Sequence, residues 1–302
     1  MLRLRVAIRA DRVGGMVEAL DRTGGVRRLV KAPAESPEAD LVLSGDVTPP
    51  AADRVMTAID ELGVGPDDYV LAREEVVAPS PADRSRRGGA DGFAWVEVMG
   101  EARANARPIG RYLALMSIAA VIAALGVLTE NVILIVGAMA VSPDLLPVCA
   151  TCVGVVGRRL DLARHAFLTL AVGLALVAVI SAIVAGLLDL TGILPAGFEI
   201  GEGGLGTLAT TDYSTVLVAL AAGVAAMLSF ETRAGVAVGV AISVTTIPAS
   251  AYLGVALAVG EIGRGTGALL VLTVNVTLLL LSGSLTLALQ ERLLGRSPAT
   301  AR

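Results

Sequence analysis

One carboxylate, Asp144, interrupts an otherwise charge-free apolar run from residue 131 to 157, and two prolines, Pro143 and Pro147, stand on either side of it. In hydrocarbon a carboxylate costs several kcal/mol unless it is protonated, paired or hydrated, so the placement predicts a pathway for an ion, a proton or a polar solute. The bland alternative is a helix cap or a position at the membrane surface. Hydroxyls gather at two points: Ser142 and Thr151 near the first proline pair, and Ser243, Thr245, Thr246 and Ser250 around Pro248 in a later apolar run. Singly, each Ser or Thr reads as helix packing or as back-bonding to the preceding turn. Their convergence, with Asn275 and its neighbours Thr273 and Thr277, is what marks a polar site. An amide in an apolar span must find a partner, which singles out Asn275.

Other chemistries find little support. Cys149 and Cys152 are the only cysteines; they lack the further ligands a zinc site needs and read as small packing residues. Asp144 has no second catalytic carboxylate at recognisable spacing, so neither an enzyme nor a cofactor is expected. Glu130, Asn131 and Glu231 read as solvated turn residues, and His165 as interfacial. Basic residues in the first third alternate with acids, which argues against nucleic acid because phosphate contacts need a concentrated positive face. The expected partners are the lipid bilayer, an ion or small polar solute, and further copies of the chain in a homo-oligomer.

The elements that must hold these residues follow from the charge pattern. Of 302 residues 55% are hydrophobic and 17% charged, and residues 1–110 hold 15 of the 24 Lys and Arg and 18 of the 28 Asp and Glu. The remainder falls into long intervals, 112–129, 131–157, 165–188, 213–230, 234–260 and 265–290, whose only charge is Asp144. A helix needs about 20 apolar residues to cross about 30 Å of hydrocarbon, so the reading is a polytopic α-helical membrane domain over 111–290 with six spans, the first from about 111. The intervals have lengths 18, 27 and 24, then 18, 27 and 26. That match predicts two copies of a three-span unit, inverted because an odd number of spans reverses the direction of the next copy. The second and fifth, at 27 residues, exceed the hydrocarbon thickness as straight helices and are expected to be broken near the midplane. Gly137 to Pro147 in one and Gly239 to Pro248 in the other share a Gly, Ser, Pro order.

Arginines set the expected orientation. Arg103, Arg107 and Arg111 precede the first span, Arg158, Arg159 and Arg164 follow the second, and Arg292, Arg296 and Arg302 mark the tail, 291–302. Both termini are therefore expected in the cytoplasm, with the chain in the cell membrane; Arg233 agrees and Arg264 dissents. No secretory signal is read at the N-terminus.

Ahead of the spans, 1–78 reads as a small soluble α+β domain. Leu2–Ile8 alternates as a strand, Asp11–Arg22 carries Val13, Met16, Val17 and Leu20 at helical spacing, and Gly24-Gly25 closes that helix. Strands at Val26–Val30 and Leu41–Leu43, separated by turns at Pro33 and Pro37, precede a helix over Pro50–Leu62 with Val55, Met56, Ile59 and Leu62 inward. A last strand, Tyr69–Val77, completes a ferredoxin-like βαββαβ order. A linker and amphipathic interfacial helix are expected over 79–110, with Phe93, Trp95, Val96 and Met99 on its apolar side.

Gly137-Ala138-Met139 followed by Pro143 and Pro147, Gly154 and Gly157 before a basic loop, and the stretch from Val240 to Pro248 resemble the prokaryotic domain-of-unknown-function 389 membrane proteins. The resemblance spans about 93–289, including Trp95 and Arg107-Pro108. It implies the architecture and leaves the function open. The chain departs from the family pattern at Asp144 and Leu146, so Asp144 is read from its own chemistry. On these residues a transporter-like or channel-like protein with a midplane polar site is expected. The alternative is a membrane-anchored sensor or scaffold, whose soluble domain binds a ligand or assembles subunits.

Overall fold

A computed structural model describes residues 2–34, 39–48, 51–73, 110–194, 200, 206, 210, 212–232 and 235–293. The chain forms two compact units, dividing between Gly100 and Glu101.

In the first unit β1 (Leu2–Ile8), α1 (Val13–Arg22), β2 (Val26–Pro33), β3 (Leu41–Val47), α2 (Ala52–Glu61) and β4 (Tyr69–Arg73) follow one another. All neighbouring strands are antiparallel, in the order β2-β3-β1-β4. The period-2 pattern of β1 turns Leu2, Leu4, Val6 and Ile8 to one face, where they meet Met16 and Leu20 of α1 and Val55 and Ile59 of α2. Each such side chain contributes roughly 1.5–3 kcal/mol on burial. Gly25 is held by space: a Cβ there would overlap Ala51.

Several expectations need correction here. β2 runs on through Pro33, which ends an edge strand rather than starting a turn; an edge position tolerates the missing ladder donor. β3 reaches Val47, which pairs with Leu2 of β1 and Val26 of β2, and its buried Asp46 is paired with Arg3 at 3.3 Å and Arg28 at 3.5 Å. Leu62 is 37% exposed, since α2 stops at Glu61 and the chain turns at Gly63, whose φ of +68° suits glycine. The expected strand is described only to Arg73. The linker at 79–109, the amphipathic segment Phe93–Arg107 and the tail beyond Leu293 lie outside the described residues.

The second unit is helical: α3 (Gly110–Leu128), α4 (Val132–Val141), α5 (Leu145–Val156), α6 (Leu160–Leu190), α7 (Tyr213–Thr232), α8 (Gly235–Ala258) and α9 (Ile262–Leu293). Among the described residues α3, α6 and α9 are long and apolar enough to cross a membrane, and α4 with α5 makes a fourth candidate bent by 56°. The apolar stretches described in α7 and α8 are shorter, Tyr213–Ser229 and Ser243–Ala258. Along α6, Leu168, Val172, Val179, Ile183 and Leu187 are exposed, a surface that water would penalise and lipid would not. This is the build of a membrane-embedded protein.

The expected break in the fifth apolar run is absent, for α8 continues through Pro248. A lone proline deletes one donor and crowds one carbonyl. Here a side chain from another helix bonds the next carbonyl along: Asn275 Nδ2 donates to Thr245 O at 2.8 Å. Close packing also seats α8 on α6, because Gly254 lies directly against the Ala178 carbonyl, where any Cβ would collide.

Candidate functional site

Pro143 decides where α4 stops. The residue before a proline is pushed out of the helical region, and Ser142 is extended, with φ −66° and ψ 128°. Helix resumes at Leu145, which places Pro147 in the first turn of α5, where an amide hydrogen would have no carbonyl to meet. The pair of prolines thus opens the span while stranding few backbone groups.

Asp144 occupies the N-cap position of α5, yet its side chain makes no capping bond and is wholly buried. Ser243 Oγ donates to its Oδ1 and Thr246 Oγ1 to its Oδ2, each at 2.5 Å. These two hydroxyls lie three residues apart on α8 and so share a face. The Ser142 hydroxyl interacts with the same carboxylate and lies 3.5 Å from Met116 Sδ of α3. From α3 also, buried Tyr112 feels the charge of Asp144 and donates to the Thr169 carbonyl at 3.4 Å. Among the described residues no Lys, Arg or His pairs with Asp144.

Two influences oppose each other at this carboxylate. Burial among apolar helices disfavours charge, whereas three hydroxyls and the amide-rich start of α5 favour it. A group so placed is a candidate for exchanging a proton or a monovalent cation. Among the described residues its direct partners are the hydroxyls of Ser142, Ser243 and Thr246.

The remaining expected residues sort by contact. Asn275 is buried; its Nδ2 serves Thr245 O, while its Oδ1 and the hydroxyl of buried Ser250 have no hydrogen-bond partner among the described residues. Thr245 and Pro248 therefore belong to the α8 and α9 side of the site. Thr151 does not join it: its hydroxyl returns to Pro147 O at 2.7 Å within α5. Cys149 and Cys152 point instead at the carbonyls of Ala226 and Leu280, each at 3.7 Å. Asn131 caps α4 through Oδ1 to the amides of Ile133 and Leu134, and Glu130 beside it is exposed. Tyr112 and Met116 were not expected at the site; in the sequence they are two ordinary members of an apolar run.

Residues 139–281 match the model of a domain of unknown function, DUF389. The chain carries a DUF389 domain. No curated protein and no solved structure matches the chain. The DUF389 domain contains Asp144, Ser243, Thr246 and Asn275, and the contributions of Tyr112 and Met116 come from outside the matched stretch.

Proposed function

We propose that the protein moves an ion or small polar solute across the cell membrane, through a site centred on Asp144 between two inverted three-span halves. The first half is α3, the bent α4 and α5, and α6; the second is α7, α8 and α9. Six spans result, with both termini on the cytoplasmic side where the arginines cluster.

A constant register supports the two halves. Arg158, with φ +53°, ends α5, and Gly260, with φ +83°, ends α8, an offset of 102 (260 − 158). The same offset carries Arg159 N to Gly154 O at 2.8 Å onto Glu261 N to Ala256 O at 2.9 Å, and Gly157 N to Val153 O at 2.8 Å onto Val259 N to Val255 O at 3.0 Å. It also carries a contact between halves onto its counterpart: Cys152 Sγ against Leu280 O, and Gly254 against Ala178 O. Asp144 and Thr246 are related by this same 102, and they bond to each other.

That last observation carries the functional reading. Under an inverted repeat the relating axis lies in the membrane plane, and two equivalent positions can touch only near that axis. Asp144 would therefore sit at the midplane, equally far from both surfaces. A buried charge at that depth, with its hydroxyl partners on the opposite half, suits a site that the two halves expose alternately. The test is flux in reconstituted vesicles over a panel of ions and small polar solutes. At least one should move, and Asp144→Asn should slow it tenfold or more; equal flux by the variant for every species moved removes the site.

A further inference from the structure

We propose that the ligand of the Asp144 site is a proton, so that the protein is driven by, or drives, proton movement. This rests on the transport reading above and names its coupling ion.

Charge and chemistry narrow the choice first. The described surroundings of Asp144 provide no positive side chain, so the site as built carries at most one negative charge. One monovalent cation neutralises it, whereas a divalent cation would leave an excess positive charge in hydrocarbon and an anion would be repelled. The donors are a carboxylate and hydroxyls, without His or Cys, and among the described residues no three His, Cys, Asp or Glu come together. Transition metals are poorly served by such a set.

Geometry then separates a proton from an alkali ion. Both carboxylate oxygens make direct contact with a hydroxyl of α8, and the group is wholly buried. A sodium ion seated between the carboxylate and these hydroxyls would lengthen both contacts and push α8 away from the break. Such a shift is resisted by Gly254 against Ala178 and by Asn275 on Thr245. A proton needs no space. A hydroxyl both donates and accepts, so Ser243 and Thr246 can donate to the carboxylate when it is ionised, and one of them can accept from the acid when it is neutral. The same contacts therefore serve both forms. The step is the uptake of one proton from hydronium by the carboxylate, giving a carboxylic acid and water, and its reversal on the other side.

The titratable group of α3 that interacts with Asp144 is Tyr112, and among the described side chains α8 contributes the hydroxyls of Ser243 and Thr246. From α9 the neutral amide of Asn275 reaches Thr245 on the same stretch of α8. On α5 itself the titratable groups are Cys149 and Cys152, both engaged with carbonyls of other helices.

Infrared difference spectroscopy of the full chain in lipid nanodiscs, stepped through pH, reads this directly. The wild type should show the carbonyl stretch of one buried carboxylic acid that disappears as pH rises, and Asp144→Asn should lack it. Asp144→Glu should keep a band, and Thr246→Val should shift its frequency, which guards against a variant that merely misfolds. Adding sodium or potassium chloride at fixed pH should leave the band unchanged. The inference is overturned if the Asp144 band is absent throughout, if it persists without titrating, or if sodium or potassium abolishes it at constant pH. Because the spectra need no transported solute, their outcome is independent of the vesicle flux that tests the transport reading.

Discussion

Thr246 on α8 donates to Asp144 Oδ2 at the break between α4 and α5, 102 residues away in sequence. Ser243, one turn earlier, donates to Oδ1, so one face of one helix satisfies both oxygens. The pair therefore ties the break between α4 and α5 to the continuous α8, and its loss should be felt in stability as well as in flux. Thr246→Val keeps the shape and removes the donor, leaving a buried oxygen short of a partner at a cost of about 1–3 kcal/mol. Because Ser243 serves the same carboxylate, adding Ser243→Ala should give a non-additive loss in a double-mutant cycle on detergent-solubilised protein. Strict additivity would mean the two hydroxyls do not share a charge.

Gly254 and Gly137 should answer oppositely to alanine. At Gly254 the new Cβ collides with the Ala178 carbonyl, and α8 must separate from α6, costing about 1–3 kcal/mol. At Gly137, inside α4, a Cβ meets nothing within 4 Å, and the better helix propensity of alanine should add roughly 0.5–1 kcal/mol. Melting temperatures of the two variants in one detergent should fall on opposite sides of the wild type.

Asn275 and Pro248 should be coupled. Asn275→Ala removes the donor to Thr245 O, at about 1 kcal/mol for a polar contact between membrane helices. Pro248→Ala supplies the amide that the Val244 carbonyl lacks and removes the crowding of that turn, which offsets part of the loss. The double variant should melt higher than Asn275→Ala alone; a lower melting temperature would show that Pro248 has a role beyond the local helix.

Asp212 begins α7 and accepts from the Thr215 amide at 2.9 Å and the Thr215 and Ser214 hydroxyls at 2.7 and 2.9 Å. The Thr215 hydroxyl, then the Thr215 amide and the Ser214 hydroxyl, hold its carboxyl down to about 2, below the ordinary 3.8. A depressed carboxyl contributes stability above its unfolded value and loses it as pH falls through the folded one. The melting difference between wild type and Asp212→Ala should therefore be constant above pH 4 and shrink between about 4 and 2. A difference that survives below that window would assign the effect to packing.

The amino-acid sequence alone determined which parts of this chain form long apolar helices suited to lipid and where the second apolar run must bend. Both follow from local physics: charges are excluded from hydrocarbon over about 20 residues, and a proline displaces its predecessor from helical geometry wherever it occurs. The register of β1 is local in the same sense, since alternation needs only the neighbouring residue. Partnership is a different matter. Thr151 and Thr246 look alike in sequence, yet one hydroxyl closes on its own helix and the other on a carboxylate 102 residues away. Pro143 and Pro248 look alike too, yet only the first ends its helix, and only the second has a side chain from another helix, Asn275 of α9, on a carbonyl beside it. Which residues surround Asp144 was decided when α3 and α8 packed across the break. Contacts between segments a hundred residues apart depend on how whole helices fit, and no local pattern encodes that fit.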